Sequence, residues 1–130
     1  MSLYLRPDRN MISWFEIPVL DFQRAKKFYS AILNIEDMQT EQSETHDIGF
    51  FTLYKNKVSG AIVRAKGYEP SKKGPLLYLN ADPSMDQTLA RIEENGGKII
   101  VPKTVISKTA GCIARFEDLE GNLLALHAKN

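Results

Sequence analysis

The chain has 130 residues, of which 43% are hydrophobic and 25% charged, and a formal net charge of +1. That length and balance suit one globular domain, able to bury a core without disulfides or a structural metal. Near-neutral charge, with no basic run longer than a lysine pair such as Lys72-Lys73, excludes a dedicated nucleic-acid binder, and no apolar stretch approaches the roughly 20 residues of a membrane span.

Residues 1–11, rich in Arg, Asp, Asn and Pro, read as an N-terminal arm. Residues 12–20 alternate as a strand, with Phe15, Ile17 and Val19 on one side and Trp14, Glu16 and Pro18 on the other. Asp21 offers an N-cap, and Phe22, Ala25, Tyr29, Ile32 and Leu33 repeat at helical spacing until Asn34 ends the helix. A short strand over 35–39 and a polar loop over 40–47 follow. Apolar runs at 48–54 and 58–65, joined by Lys55-Asn56-Lys57, read as a hairpin. Residues 67–74 read as a linker.

The order then repeats. Residues 76–81 form a strand, Ser84-Met85-Asp86-Gln87 has capping-box spacing, and Met85, Leu89 and Ile92 mark a helix stopped by Gly96-Gly97. Strands follow at 98–101, with Val105-Ile106 as an extension past Pro102, then at 112–116 and 123–127. The turn at 118–122 is centred on Gly121. Each half is strand, helix, three strands, which is the pattern of two βαβββ modules, 12–66 and 74–129, in a single domain of α+β class over 12–129. One α+β domain with chance similarity between its halves accounts for the periodicity equally well.

Three local patterns bear on that choice. Trp14-Phe15-Glu16-Ile17-Pro18-Val19-Leu20-Asp21-Phe22 leads into Arg24-Ala25-Lys26-Lys27-Phe28-Tyr29. Glu94-Asn95-Gly96-Gly97-Lys98 closes the second helix, and Phe116-Glu117-Asp118-Leu119-Glu120-Gly121-Asn122 precedes the last strand. From about Ile12 to Lys129, in order and spacing, the chain resembles the vicinal oxygen chelate superfamily, whose fold glyoxalase I, extradiol dioxygenases and bleomycin resistance proteins share. Leu119 stands where that family's closing turn carries proline. The resemblance implies two modules curving into a half-open mixed β-sheet barrel with outer helices, and a homodimer.

It also implies four metal-ligand positions, usually His, Glu or Gln. They fall on Trp14, on Leu76 (or Leu77), on a strand over 58–65 whose only charged residue is Arg64, and on Ala125. The expectation is therefore no metal and no other cofactor, and neither lactoylglutathione lyase nor dioxygenase activity, despite the family's enzymes.

Strand alternation supplies a different set of site candidates: Trp14, Glu16 and Pro18 from the first strand, Tyr78 and Asn80 from the fifth, Ala125 and His127 from the eighth. Trp14 and Tyr78 suit stacking on a flat ligand or filling a core. Glu16 suits a ligand's donor, a base of raised pKa, or bracing by Arg64, Arg115 or a lysine; it is expected at least partly buried. His127 suits proton transfer or a plain exposed position near the chain end. Cys112, the only cysteine, excludes an intrachain disulfide and reads as core; with no signal-like N-terminus, it fits a cytoplasmic protein. His46 reads as a solvated loop residue, and 69–74 as a linker or a gate.

The function expected is binding of a small organic molecule by Trp14, Glu16, Tyr78, Asn80 and His127, in a glyoxalase/bleomycin-resistance-like protein without the usual metal site. One alternative is a metal-independent isomerase or lyase with Glu16 and His127 as catalytic candidates. The other is a non-catalytic structural or regulatory dimer.

Overall fold

The computed structural model describes residues 10–130, so the arm expected over 1–11 lies outside the described residues except for its last two. Strand β1 (Trp14–Pro18) leads into helix α1 (Phe22–Ile32), then β2 (Thr40–Gln42), β3 (His46–Phe50) and β4 (Ser59–Ala65). The second half repeats this with β5 (Tyr78–Asn80), α2 (Met85–Glu94), β6 (Lys98–Ser107), β7 (Gly111–Glu117) and β8 (Leu123–Ala128). Each half makes one mixed sheet, ordered β1-β4-β3-β2 and β5-β8-β7-β6, with β1 parallel to β4 and β5 parallel to β8.

The local signals act as their chemistry requires. Asp21 accepts from the amide of Arg24, and Ser84 accepts from that of Gln87, so both helices begin on side-chain caps. Asn34 leaves α1 at φ 58° and Gly96 leaves α2 at φ 91°, left-handed conformations that end a helix.

The faces of β1, β5 and β8 that carry Ile17, Val19, Leu79, Ala81, Leu124 and Leu126 are buried in one core shared by both halves. Phe28 of α1 lies 6.4 Å from Phe116 of β7, and Arg91 of α2 donates to the carbonyl of Ile32 at 3.1 Å. The helices thus join the halves through the helix-facing sides of both sheets. The sheets remain separate ladders, with edges β1 and β5 unpaired to each other, so the expected barrel is not closed. The shared apolar core, rather than a strand-to-strand ladder, holds the halves together.

Two strand assignments move. The strand expected over 35–39 is absent; β2 lies instead at Thr40–Gln42, inside the expected polar loop, and β3 starts at His46. β2 is an exposed edge strand, so hydropathy leaves no mark on it and only its pairing with β3 defines it. The strand expected over 48–54 ends at Phe50, although the Phe51 amide still donates to Gly60 at 3.0 Å. The extension of β6 past Pro102 is present, with register shifts on either side of the proline, as suits an edge strand whose proline cannot donate.

Candidate functional site

The sheet faces turned away from the core carry all five ligand-binding candidates. Trp14 is 39% exposed and Tyr78 49%, and Glu16, Asn80 and His127 are exposed too. Ala125, between Tyr78 and Arg115 in the ladder, is fully buried. Pro18 is half-buried.

These residues fall into two groups. Tyr78, Asn80 and His127 share a shallow concavity of about 480 Å³ with Ile106 and Ile113. Trp14 and Glu16 lie on the other sheet, where the indole of Trp14 packs 6.2 Å from Phe50. Glu16 borders a separate cleft between β1 and the start of β8. A single chain therefore does not gather the five into one cavity, because its two candidate faces both point away from the common core. Alternation along each strand is legible in sequence; the relative placement of two sheets is not.

Glu16 also corrects an expectation, since its side chain is exposed rather than partly buried. Among the described residues, no arginine or lysine pairs with it. Arg64 instead pairs with Asp47, and this hydrogen bond, ahead of smaller causes, lowers the Asp47 pKa. Glu16 accepts from the Tyr68 hydroxyl at 2.6 Å and, more weakly, from the Trp14 indole at 3.4 Å. The Glu16 hydrogen bond and charge raise the Tyr68 pKa, so Tyr68 remains a donor at neutral pH. His127 holds its Nε2 at 2.6 Å from the carbonyl of Ala110. A carbonyl only accepts, so Nε2 carries the proton and Nδ1 is the nitrogen left for other use.

Loop residue His46 lies within β3, its Nε2 3.3 Å from Glu41. Cys112 is buried, as expected. Residues 68–75 do more than link the halves: the Ser71 amide donates to Asn122 at 2.9 Å, and Lys72 pairs with Glu117 at 3.2 Å.

The segment 118–122, expected from its sequence to be a turn centred on Gly121, also clasps the two halves together. Buried Asp118 accepts from the Tyr29 hydroxyl at 2.6 Å, from the amides of Glu120 and Asn122 at 2.9 and 2.8 Å, and from the Asn122 side chain at 3.0 Å. Asn122 also donates to the Pro18 carbonyl at 2.8 Å. Glu120, its side chain 2% exposed, accepts from Arg24 at 3.0 Å and from the Leu20 amide at 2.9 Å. The signal available in sequence was three polar residues packed around one glycine, more than a turn alone needs.

The family's metal positions do not fit a metal. They hold an indole, the apolar side chain of Leu76 (or Leu77) just before β5, Ser59 opposite Trp14 on β4, and buried Ala125. Among the described residues, no three His, Cys, Asp or Glu side chains come together as a metal ion would require.

Known proteins share this architecture. The sequence profile of the Glyoxalase/Bleomycin resistance protein/Dioxygenase superfamily matches residues 11–126. The chain belongs to that superfamily. The antibiotic binding protein TnmS3 from Streptomyces sp. CB03234 is 23% identical, with TM-score 0.69 over 94% of this chain and 98% of its own. A glyoxalase/bleomycin resistance protein from Albidiferax ferrireducens T118 is 20% identical, with TM-score 0.68 over 93% of this chain and 100% of its own. Glyoxalase I from Zea mays is 17% identical, with TM-score 0.66; the match covers 88% of this chain but only 43% of the maize protein. No match is found among curated proteins. At these identities the solved structures speak for the fold alone. Among the described residues, no helix is long and apolar enough to cross a membrane.

Proposed function

We propose that this superfamily member binds a small organic molecule on the outer sheet faces carrying Trp14, Glu16, Tyr78, Asn80 and His127, without a divalent metal. The observation that carries this reading is that two exposed aromatic rings, Trp14 and Tyr78, stand beside exposed polar side chains on the sheet faces turned away from the core, with Trp14 itself at a position where the family's enzymes carry a metal ligand. An exposed Trp or Tyr beside hydrogen-bonding groups is the composition of a recognition surface for a flat, partly polar molecule. Drug binding of the kind named for TnmS3, an antibiotic binding protein of the same fold, is one form that this activity can take.

The proposal includes a homodimer. Each face alone is open, Ile106 is exposed in the same concavity as Tyr78, and Ile100 and Val105 are exposed elsewhere on edge strand β6. A second copy would cover these apolar groups and close the faces into a cavity. Light scattering at micromolar concentration should give twice the 14.7 kDa chain mass; a purely monomeric species defeats this part.

The enzyme alternative has less support, because Glu16 and His127 border different clefts and His127 spends Nε2 on Ala110. A thermal-shift screen of metabolites and antibiotics, run with and without zinc, nickel, iron and manganese, separates the readings. A true ligand at about 100 times its Kd should add roughly 2.7 kcal/mol. The shift should be independent of metal and absent in Tyr78→Ala. Protein purified without added metal should contain far less than one equivalent by elemental mass spectrometry. A stoichiometric metal, or ligand shifts seen only with metal, overturns the proposal.

A further inference from the structure

The cleft bordered by Glu16 is a site of different character from the sheet faces. It has a volume of about 340 Å³ and lies between β1 and the start of β8, bordered by the segment from Glu69 to Leu77. Its floor is apolar: Phe15, Ile17, Leu77 and Leu124 line it. All four pack in or against the shared core, so the floor is rigid. Its rim carries charges of both signs, Glu16 and Glu69 on one hand and Lys73 on the other.

The rim is held in place. Ser71 is tied through its amide to Asn122, which is buried and itself fixed to Asp118 and Pro18. Tyr68 anchors the start of the segment on Glu16, at 2.6 Å. Among the described residues, Glu69 and Lys73 have no ion-pair partner and no side-chain hydrogen bond, so both head groups stand available at the opening. The volume sits at the low end of small-molecule sites, which run from about 300 to 1,000 Å³. An apolar floor selects a hydrocarbon body. A rim with two carboxylates and one ammonium selects a head group bearing a positive and a negative charge together.

We propose that this cleft binds a free α-amino acid with an apolar side chain. The side chain rests on the floor, the ammonium meets Glu16 and Glu69, and the carboxylate meets Lys73. The inference does not depend on the sheet-face reading, with which it shares only Glu16.

The test uses Trp14, the only tryptophan in the chain, which touches Glu16 and so reports on the cleft by its emission. Titration with L-leucine and L-phenylalanine, checked by calorimetry, should saturate with Kd no weaker than about 1 mM, near −4.1 kcal/mol. Leucinamide, which lacks the carboxylate, and 4-methylpentanoate, which lacks the ammonium, should each bind at least about tenfold more weakly, since each leaves one rim charge unmet. Lys73→Gln should weaken leucine about tenfold and leave leucinamide unchanged. Glu69→Gln should weaken leucine and leave 4-methylpentanoate unchanged. Both residues are exposed, so the thermal midpoint should hold and separate lost binding from lost folding. Tyr78→Ala should leave leucine binding intact. The proposal is overturned if neither amino acid saturates by about 10 mM, if both half-analogues bind as well as leucine, or if Tyr78→Ala rather than Lys73→Gln abolishes binding.

Discussion

Replacing Asp118 with alanine is expected to lower stability by about 4 kcal/mol. The loss follows from what the carboxylate satisfies. It accepts from the Tyr29 hydroxyl, from two backbone amides and from the Asn122 side chain, and the residue is 6% exposed. Each buried donor left unmet costs roughly 1–3 kcal/mol, though Asn122 keeps the Pro18 carbonyl and the Glu120 amide lies nearer to water. For a chain of this length, about 4 kcal/mol is a fall of roughly 15 °C in Tm, readable by calorimetry. Asp118→Asn keeps one acceptor oxygen and should lose about half as much.

Tyr29→Phe isolates one arm of the clasp and should cost about 1–2 kcal/mol near neutrality, because the ring contacts with Phe28 and Phe51 remain. It should also change the alkaline limb of stability. Burial, then the charge and hydrogen bond of Asp118, raise the Tyr29 pKa well above 10.0. In the unfolded chain the phenol ionises near pH 10, whereas in the folded chain it resists. Its stabilisation is therefore whole below about pH 10 and is lost as pH climbs from there towards the folded value. Urea titrations at neutral and alkaline pH should show wild type falling more steeply than Tyr29→Phe above pH 10. Parallel decline of the two proteins would remove Tyr29 as the cause.

Gly60→Ala should be nearly as damaging, at about 3 kcal/mol or more. An added Cβ would stand 2.3 Å from the carbonyl oxygen of Phe15 and 2.7 Å from its ring. Gly60 lies opposite Phe15 in the parallel β1–β4 ladder, so the obstacle is backbone that cannot rotate aside. The strands must separate or the ring must leave the core, and overpacking of this kind costs about 1–3 kcal/mol even where neighbours can shift. Gly67→Ala is the control. It sits at φ 88° with nothing within 4 Å of the added Cβ, so it meets only the left-handed backbone penalty, about 1–2 kcal/mol. Equal Tm losses for the two variants would show that the close approach to Phe15 is not what constrains Gly60.

Elements that carry their own local signal are legible in the residues alone. Caps at Asp21 and Ser84, helix exits at Asn34 and Gly96, and the apolar faces of β1, β5 and β8 are local facts, set by side-chain oxygens, left-handed φ and a period of two. Absence of ligand chemistry at Trp14 and Ala125 was equally legible, because a side chain's donor set does not depend on where it folds. β2 was not legible: three exposed residues become a strand only by pairing with β3. Nor was the division of the five candidates between two faces, or the exposure of Glu16. Those depend on how two sheets meet through α1 and α2, a contact made by residues from both halves of the chain. The clasp at Asp118 shows the same limit. Its carboxylate is written in the turn, but its Tyr29 partner lies 89 residues away. Only the packed tertiary structure brings that hydroxyl within 2.6 Å, where burial makes the bond strong and its loss costly.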